Sequence, residues 1–241
     1  MIRDVSIFGK TTNVFDCGDE AADWITRWLA STKDPEIHPE DPREGSPQPK
    51  HYRIVFFDPE NECERDINEE NIEMQEKLGR YLPDQINYKT TLTDLGSYSI
   101  HSRQSEDHLS DQLEQQGHRR LAENVFRTTF IVDCHNKKRP FQEDQWDEVY
   151  IGDSNANYKL KFYAPIPRCQ LTTTNPKTGL VRNDGQPLKW LNQHRKLTAT
   201  ENDAWGMKNG NKFANYFGAM LDNENDTCEV RVGDKVFAKM L

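Results

Sequence analysis

Arg168 and Cys169 put one guanidinium beside one thiol, between a β-forming run and a tight turn. The run is Tyr158-Lys159-Leu160-Lys161-Phe162-Tyr163-Ala164, and Asn175-Pro176-Lys177-Thr178-Gly179 carries the turn chemistry. A thiolate is a soft ligand for a metal, and an adjacent cation favours the ionised thiol. Free cysteine is also one of the most buried residue types, so the pair suits ordinary core filling as well. The pair alone leaves both readings open.

Bulk composition narrows the classes of function. The chain has 241 residues, enough for one large domain or two small ones. Hydrophobic residues make up 34% and mean hydropathy is -0.94, so some segments must bury little. A net charge of -9 argues against a nucleic-acid surface, which needs a basic face. Cys17, Cys63, Cys134, Cys169 and Cys228 are widely spread and odd in number. They suggest neither a zinc site nor a disulfide framework, and a reducing compartment is the simpler setting. The seven histidines show no ligand spacing. The first 30 residues contain no long apolar run, so no secretory signal, basic transit peptide or membrane span is expected in this chain.

Many short strands with a few helices between them are expected. Residues 3–8 and 12–15 read as strands, followed by a helix capped by Asp16 or Asp19 and running to about Ala30. The prolines and charges of residues 33–50 predict a solvated, mobile linker. Arg53–Phe57 reads as a buried strand. From Asp58 to Lys77, nine acids stand against Arg65 and Lys77, which predicts a solvated loop and an exposed helix. Residues 104–116 form a polar helix with Leu109 and Leu113 as its seam. Strands are expected over 127–133, 148–151, 158–164, 169–174 and 212–221, and over 228–239 folded about Gly233-Asp234. A short helix fits Pro187 to Lys196. Trp24, Trp28, Trp146, Trp190 and Trp205 read as core or helix-packing residues. Gly206-Met207-Lys208-Asn209-Gly210-Asn211-Lys212 has the look of a phosphate loop without its Gly-Lys-Ser/Thr ending.

The longer pattern Arg168-Cys169-x-Leu171-Thr172-Thr173-x-Asn175-Pro176-x-Thr178-Gly179 closely resembles the signature of MOSC domains, the fold at the C-terminus of molybdenum cofactor sulfurases. It is similar to the branch that contains the amidoxime-reducing components. Asp16–Trp24, Trp146–Asp153, Phe213–Phe217 and Val232–Val236 match that family in the same order. The resemblance implies a mostly β fold with peripheral helices (α+β) around a MOSC-type β-barrel core. It sets the MOSC domain at residues 83–241, with residues 1–82 as a remnant of the N-terminal MOSC-associated region. Ile2 and Arg3 match a strand that in the family follows an earlier cofactor-binding segment, so the chain is expected to start after that segment.

The resemblance also implies a site for the molybdenum cofactor (molybdopterin). Cys169 takes the place of the metal ligand, and Arg168 that of a cofactor contact that helps ionise the thiol. Phe126-Arg127-Thr128-Thr129 matches the family's Phe-Arg-Pro-Asn strand motif, which assigns Arg127 to the pterin phosphate and Thr129 to the lost asparagine's place. Asp94-Leu95-Gly96-Ser97 matches an Asp-Thr-Ser/Gly turn and adds Asp94 and Ser97 as cofactor contacts. Pro167 removes a backbone N–H beside the pair. The implied activity is reduction of small N-hydroxylated compounds, with electrons from a b-type cytochrome and its flavoprotein reductase. Two alternatives stand beside it: a non-catalytic or truncated MOSC-fold binding module, and a carrier of persulfide sulfur on Cys169. An intracellular location, cytoplasmic or mitochondrial-associated, is expected.

Overall fold

The computed structural model describes residues 2–7, 10–31, 52–56, 65–66, 68–79, 89–90, 96–135, 139–152, 158–220 and 229–241. The expected linker at 33–50 lies outside them, as do Cys63, Asp94, Leu95 and Cys228. In chain order the first elements are β1 (Ile2–Ile7), β2 (Lys10–Asp16), α1 (Asp19–Ser31), β3 (Val55–Phe56) and β4 (Arg65–Asp66). Next come α2 (Asn68–Leu78), β5 (Lys89–Thr90), β6 (Tyr98–Ser102), α3 (Arg103–Gln115) and β7 (Phe130–Val132). The remainder are β8 (Trp146–Ile151), β9 (Tyr158–Pro167), α4 (Leu188–His194), α5 (Ala199–Ala204), β10 (Lys212–Met220) and β11 (Val236–Met240). The chain divides into two compact units, Met1–Asp66 with Thr90–Asp94, and Ile67–Lys89 with Leu95–Leu241.

In the first unit β1 and β2 pair antiparallel, and β3 adds to β2 with Phe15 opposite Phe56. The Asp16 carboxylate accepts from the Gly18 amide and pairs with Arg53, which draws its pKa down. Two expectations change here. The strand at 53–57 is described only as the two-residue β3, and Phe56 is 47% exposed, so it is an edge rather than a buried strand. Trp24 and Trp28 are not core: they stack on each other one helical turn apart and remain more than half exposed.

The second unit is built on a curled six-stranded sheet of order β11-β8-β9-β10-β6-β7, half of a barrel. Among the pairs of this sheet, β6–β7 is parallel and the rest are antiparallel. A parallel pair needs a crossover, and α3 supplies it. Alternation along β9 decides which core each residue enters: Tyr158, Leu160 and Phe162 join Val149, Trp146 and Phe217, while Tyr163 faces Met74 of α2. The second half of β9 is buried on both faces because helices cover it. Leu109 and Leu113, four apart on α3, are fully buried with Phe126, Trp190 and Phe213, as their spacing predicts. α2 is more than an exposed acidic helix, since Met74 and Gln75 are buried and Gln75 donates to the Tyr163 carbonyl. α5 was not foreseen; Thr198 and Glu201 form a reciprocal capping box at its start. Residues 229–231 are not a strand, although Gly233 does turn the chain with a φ of 101° before β11.

Glu143 sits buried between β6, α3 and β10. Ser102 and Ser105 donate to its Oε2 at 2.8 and 2.9 Å, and Asn215 donates to its carbonyl at 2.7 Å. Burial raises its pKa, against the lowering effect of the two hydroxyls. The folded protein therefore holds this proton at pH values where the unfolded chain has released it. Stability from this group is complete below about 4.5 and is lost as pH rises toward the folded pKa. Glu143→Gln is expected to gain stability over the wild type as pH rises from 4.5, read by denaturant titration at several pH values. Leu113→Ala should cost about 2–5 kcal/mol by the same measurement, because the surrounding cluster closes only partly on the cavity.

Candidate functional site

The site grows from a mismatch between β9 and β10. Lys212 pairs with Pro167 and Asn215 with Pro165, so two residues of β10 stand opposite one of β9. Ala214 takes a φ of 69° within this bulge. Phe213 falls in the bulge, and its carbonyl accepts from Arg168 Nε at 2.8 Å. Arg168 Nη1 donates to the Phe126 carbonyl at 3.1 Å, and the guanidinium carbon lies 5.6 Å from the Phe126 ring centre. The Phe126 and Phe213 rings stack 3.7 Å apart, so the same two residues supply both carbonyls and an apolar floor.

Cys169 follows in extended conformation, a free thiol exposed to solvent. Residues 170–173 do not continue as the expected strand but form a 3-10 turn, Gln170–Thr173. Local hydroxyls drive it: Thr172 Oγ1 donates to the Cys169 carbonyl at 2.9 Å and Thr173 Oγ1 to the Gln170 carbonyl at 2.7 Å. The chain then reverses. The Asn175 side chain accepts from the Lys177 and Thr178 amides, Gly179 adopts φ 72°, and Arg182 N returns to the Thr173 carbonyl at 2.9 Å.

Arg127 belongs to a turn at the entry to β7, not to a strand, and has a φ of 50°. Its Nη1 donates to the Val125 carbonyl at 3.1 Å and to Leu171 at 3.2 Å, and Nη2 to Thr174 at 3.4 Å. The structure thus brings Arg127, Arg168 and Cys169 to one loop cluster. Thr129 is exposed at the head of β7, where its hydroxyl accepts from the Ser99 amide at 3.1 Å and its own amide donates to Ser99 Oγ at 2.9 Å. Ser97 is half-buried just ahead of β6, while Asp94 lies outside the described residues. Gly96 beside it is required by space, because a Cβ there would enter the Tyr216 ring.

Sequence reasoning missed two groups behind the loop. His101 is buried between Thr128 Oγ1 at 2.7 Å and Glu106 Oε2 at 3.1 Å. Asn211 donates to the Arg168 carbonyl at 3.0 Å and to Asn192 Oδ1 at 2.8 Å. Nothing in the spacing of either residue points to these contacts. The segment 206–212 is no phosphate cradle: its amides at Gly206, Met207, Gly210 and Lys212 donate to Asp203, Asn202 and Arg195. Among the described residues no three His, Cys, Asp or Glu side chains form a metal-holding group. No helix among them is long and apolar enough to cross a membrane.

The family model for the MOSC domain matches residues 87–237, more than half of the chain. The chain belongs to the MOSC domain family. The Arg168-Cys169 loop and the curled sheet, apart from the last three residues of β11, fall within the matched residues. The chain is 29% identical over 223 residues to mitochondrial amidoxime-reducing component 1 of Homo sapiens, covering 92% of this chain and 52% of the relative. It is 26% identical over 236 residues to mitochondrial amidoxime reducing component 2 of Bos taurus, covering 98% and 56%. The chain spans about half the length of the curated relatives it matches.

Within this MOSC domain Arg127 ties the turn after Cys169 to the turn before β7. Lysine has a single nitrogen and cannot bridge three carbonyls in one plane. Arg127→Lys is expected to speed amide exchange in residues 170–182 by about tenfold while exchange in β8 and β9 stays unchanged. Hydrogen-exchange mass spectrometry resolves the two regions.

Proposed function

We propose that this chain holds a molybdenum cofactor through Cys169 and reduces small N-hydroxylated compounds, as an oxidoreductase of the amidoxime-reducing type. The observation that carries this reading is the exposed free thiol of Cys169 at the end of β9, tied to an arginine-bearing turn on either side. The donor set suits such a group. Cys169 offers a soft thiolate for the metal, and Arg127 a cation with exposure to spare for a phosphate. Ser97 and Thr129 offer hydroxyls for a polar ring edge, and Asp94 completes the set assigned by resemblance. When bound, the cofactor supplies a two-electron redox centre.

The remaining work falls to the protein. Arg127 and Arg168 fix the loop on either side of Cys169, through the Leu171 and Thr174 carbonyls and the Phe126 and Phe213 carbonyls. Breaking one N–O bond takes two electrons and two protons and releases water. The electrons come, in this reading, from a b-type cytochrome and its flavoprotein reductase. The MOSC domain comprises residues 83–241, and residues 1–82 belong to the N-terminal associated region. The protein works in a reducing compartment, cytoplasmic or mitochondrial-associated; the relatives above carry "mitochondrial" in their names.

One observation favours a second reading. Arg168 is turned onto the Phe126 and Phe213 carbonyls, and the Thr129 hydroxyl is engaged with Ser99. A MOSC-fold binding module without catalysis needs neither group for a cofactor. A persulfide carrier on Cys169 needs only the exposed thiol. Molybdenum per chain separates these cases, measured on protein purified from a host that makes the cofactor. The oxidoreductase reading expects near-stoichiometric metal in the wild type and its loss in Cys169→Ser, with the protein still folded. Equal metal in the mutant rejects Cys169 as ligand, and metal in neither leaves the binding module or the sulfur carrier. Trapping an alkylated persulfide at Cys169 then identifies the carrier.

A further inference from the structure

Asn211 lies just before β10 and is 5% exposed. One of its Nδ2 hydrogens goes to the Arg168 carbonyl at 3.0 Å, the other to Asn192 Oδ1 of α4 at 2.8 Å. Its own Oδ1 is buried with no hydrogen-bond partner among the described residues. A buried acceptor left unsatisfied costs stability, so this side chain is not explained by its contribution to the fold alone. Its donors are both spent, and one is spent on the peptide that carries Cys169.

That peptide is planar, so holding the Arg168 oxygen also holds the Cys169 N–H and Cα in their plane. The next carbonyl, that of Cys169 itself, accepts from the Thr172 amide at 3.2 Å and from Thr172 Oγ1 at 2.9 Å. Thr172 comes from the same turn and moves with it. Asn211 is reached 42 residues later in the chain and ties the cysteine to the helical layer of the unit. Pro167 adds no N–H to the strand end just before the pair, so the Arg168 carbonyl is a backbone tie on this side, beside the bonds of the Arg168 guanidinium.

We propose that Asn211 is a positioning residue for Cys169: through the Arg168 carbonyl it sets the direction in which the thiol leaves the turn, and so its capacity to hold the metal. The link to the metal rests on the function proposed above, whereas the link to the thiol does not. Asn211→Asp keeps the shape but turns an acceptor onto the Arg168 and Asn192 oxygens. Asn211→Ser is too short to reach either, and serves if the aspartate variant does not fold.

The experiment measures iodoacetamide labelling of Cys169 relative to Cys17, the other exposed free thiol among the described residues, in the full chain below its melting temperature. Peptide mass spectrometry reports both sites in one sample. Val149→Ala, which loosens the separate core cluster around Trp146 and Leu160, is the control. The proposal expects the Cys169 to Cys17 labelling ratio to move at least about threefold in the Asn211 variants and to stay at the wild-type value in Val149→Ala. For Asn211→Asp the ratio should return toward the wild-type value as pH falls, because a protonated carboxyl can donate where the amide did. Molybdenum per chain should fall in the same variants. An unchanged ratio in both Asn211 variants, or an equal change in Val149→Ala, overturns the proposal. If the wild type holds no molybdenum, the function proposed above fails, and the labelling ratio still decides the role of Asn211.

Discussion

The bond from Arg168 to the Phe213 carbonyl depends on a fault in the ladder between β9 and β10. With the two strands in regular register, Phe213 would face a partner on β9 and its carbonyl would belong to the sheet. The bulge at Ala214 releases that carbonyl, and the guanidinium of Arg168 takes it together with the Phe126 carbonyl. One side chain thereby joins the end of β9, the start of β10 and the turn before β7. The stacked Phe126 and Phe213 rings lie beneath this junction and join it to the cluster around Leu109, Leu113 and Trp190. Everything that presents the Cys169 thiol is attached to that junction.

Beyond the junction the loop is held mainly by backbone carbonyls. Arg127 takes those of Val125, Leu171 and Thr174, Asn211 takes that of Arg168, and two threonine hydroxyls take those of Cys169 and Gln170. A loop between strands exposes such carbonyls by default, and each must find a donor or water. Here they find arginine and threonine side chains, which makes a rigid turn out of a segment too short for a helix or sheet. The thiol is left as the exposed group at its head. Rigidity of this kind suits a ligand whose direction matters more than its reach.

Much of the frame was legible beforehand. Leu109 and Leu113 at helical spacing marked the buried seam of α3, because periodicity survives in any sequence with one buried face, and the β-forming run Tyr158–Ala164 marked β9. The Thr198–Glu201 capping box was also readable, though α5 is short and polar enough to be passed over. Residues 170–173 misled because threonine favours strands on average, while here its hydroxyls bond back three residues. Trp24 and Trp28 misled because tryptophan usually packs inside; their exposure follows from the face of α1 on which they lie.

The sequence by itself determined the chemistry on offer: one thiol beside a guanidinium, a threonine pair, an Asn-Pro-x-x-Gly reversal, and the family to which these belong. Those are local properties of adjacent residues, and side-chain type and turn propensity are written in short windows. Only the tertiary structure decided what the arginines do and which distant residues serve the thiol. Arg127 could not be seen to reach Leu171 and Thr174, nor Asn211 to reach Arg168, because each contact spans more than 40 residues, and the Arg168 bond to Phe213 depends on a bulge that shifts register by one residue. Such a shift leaves no mark in composition or periodicity, yet it determines which carbonyls are free to be held.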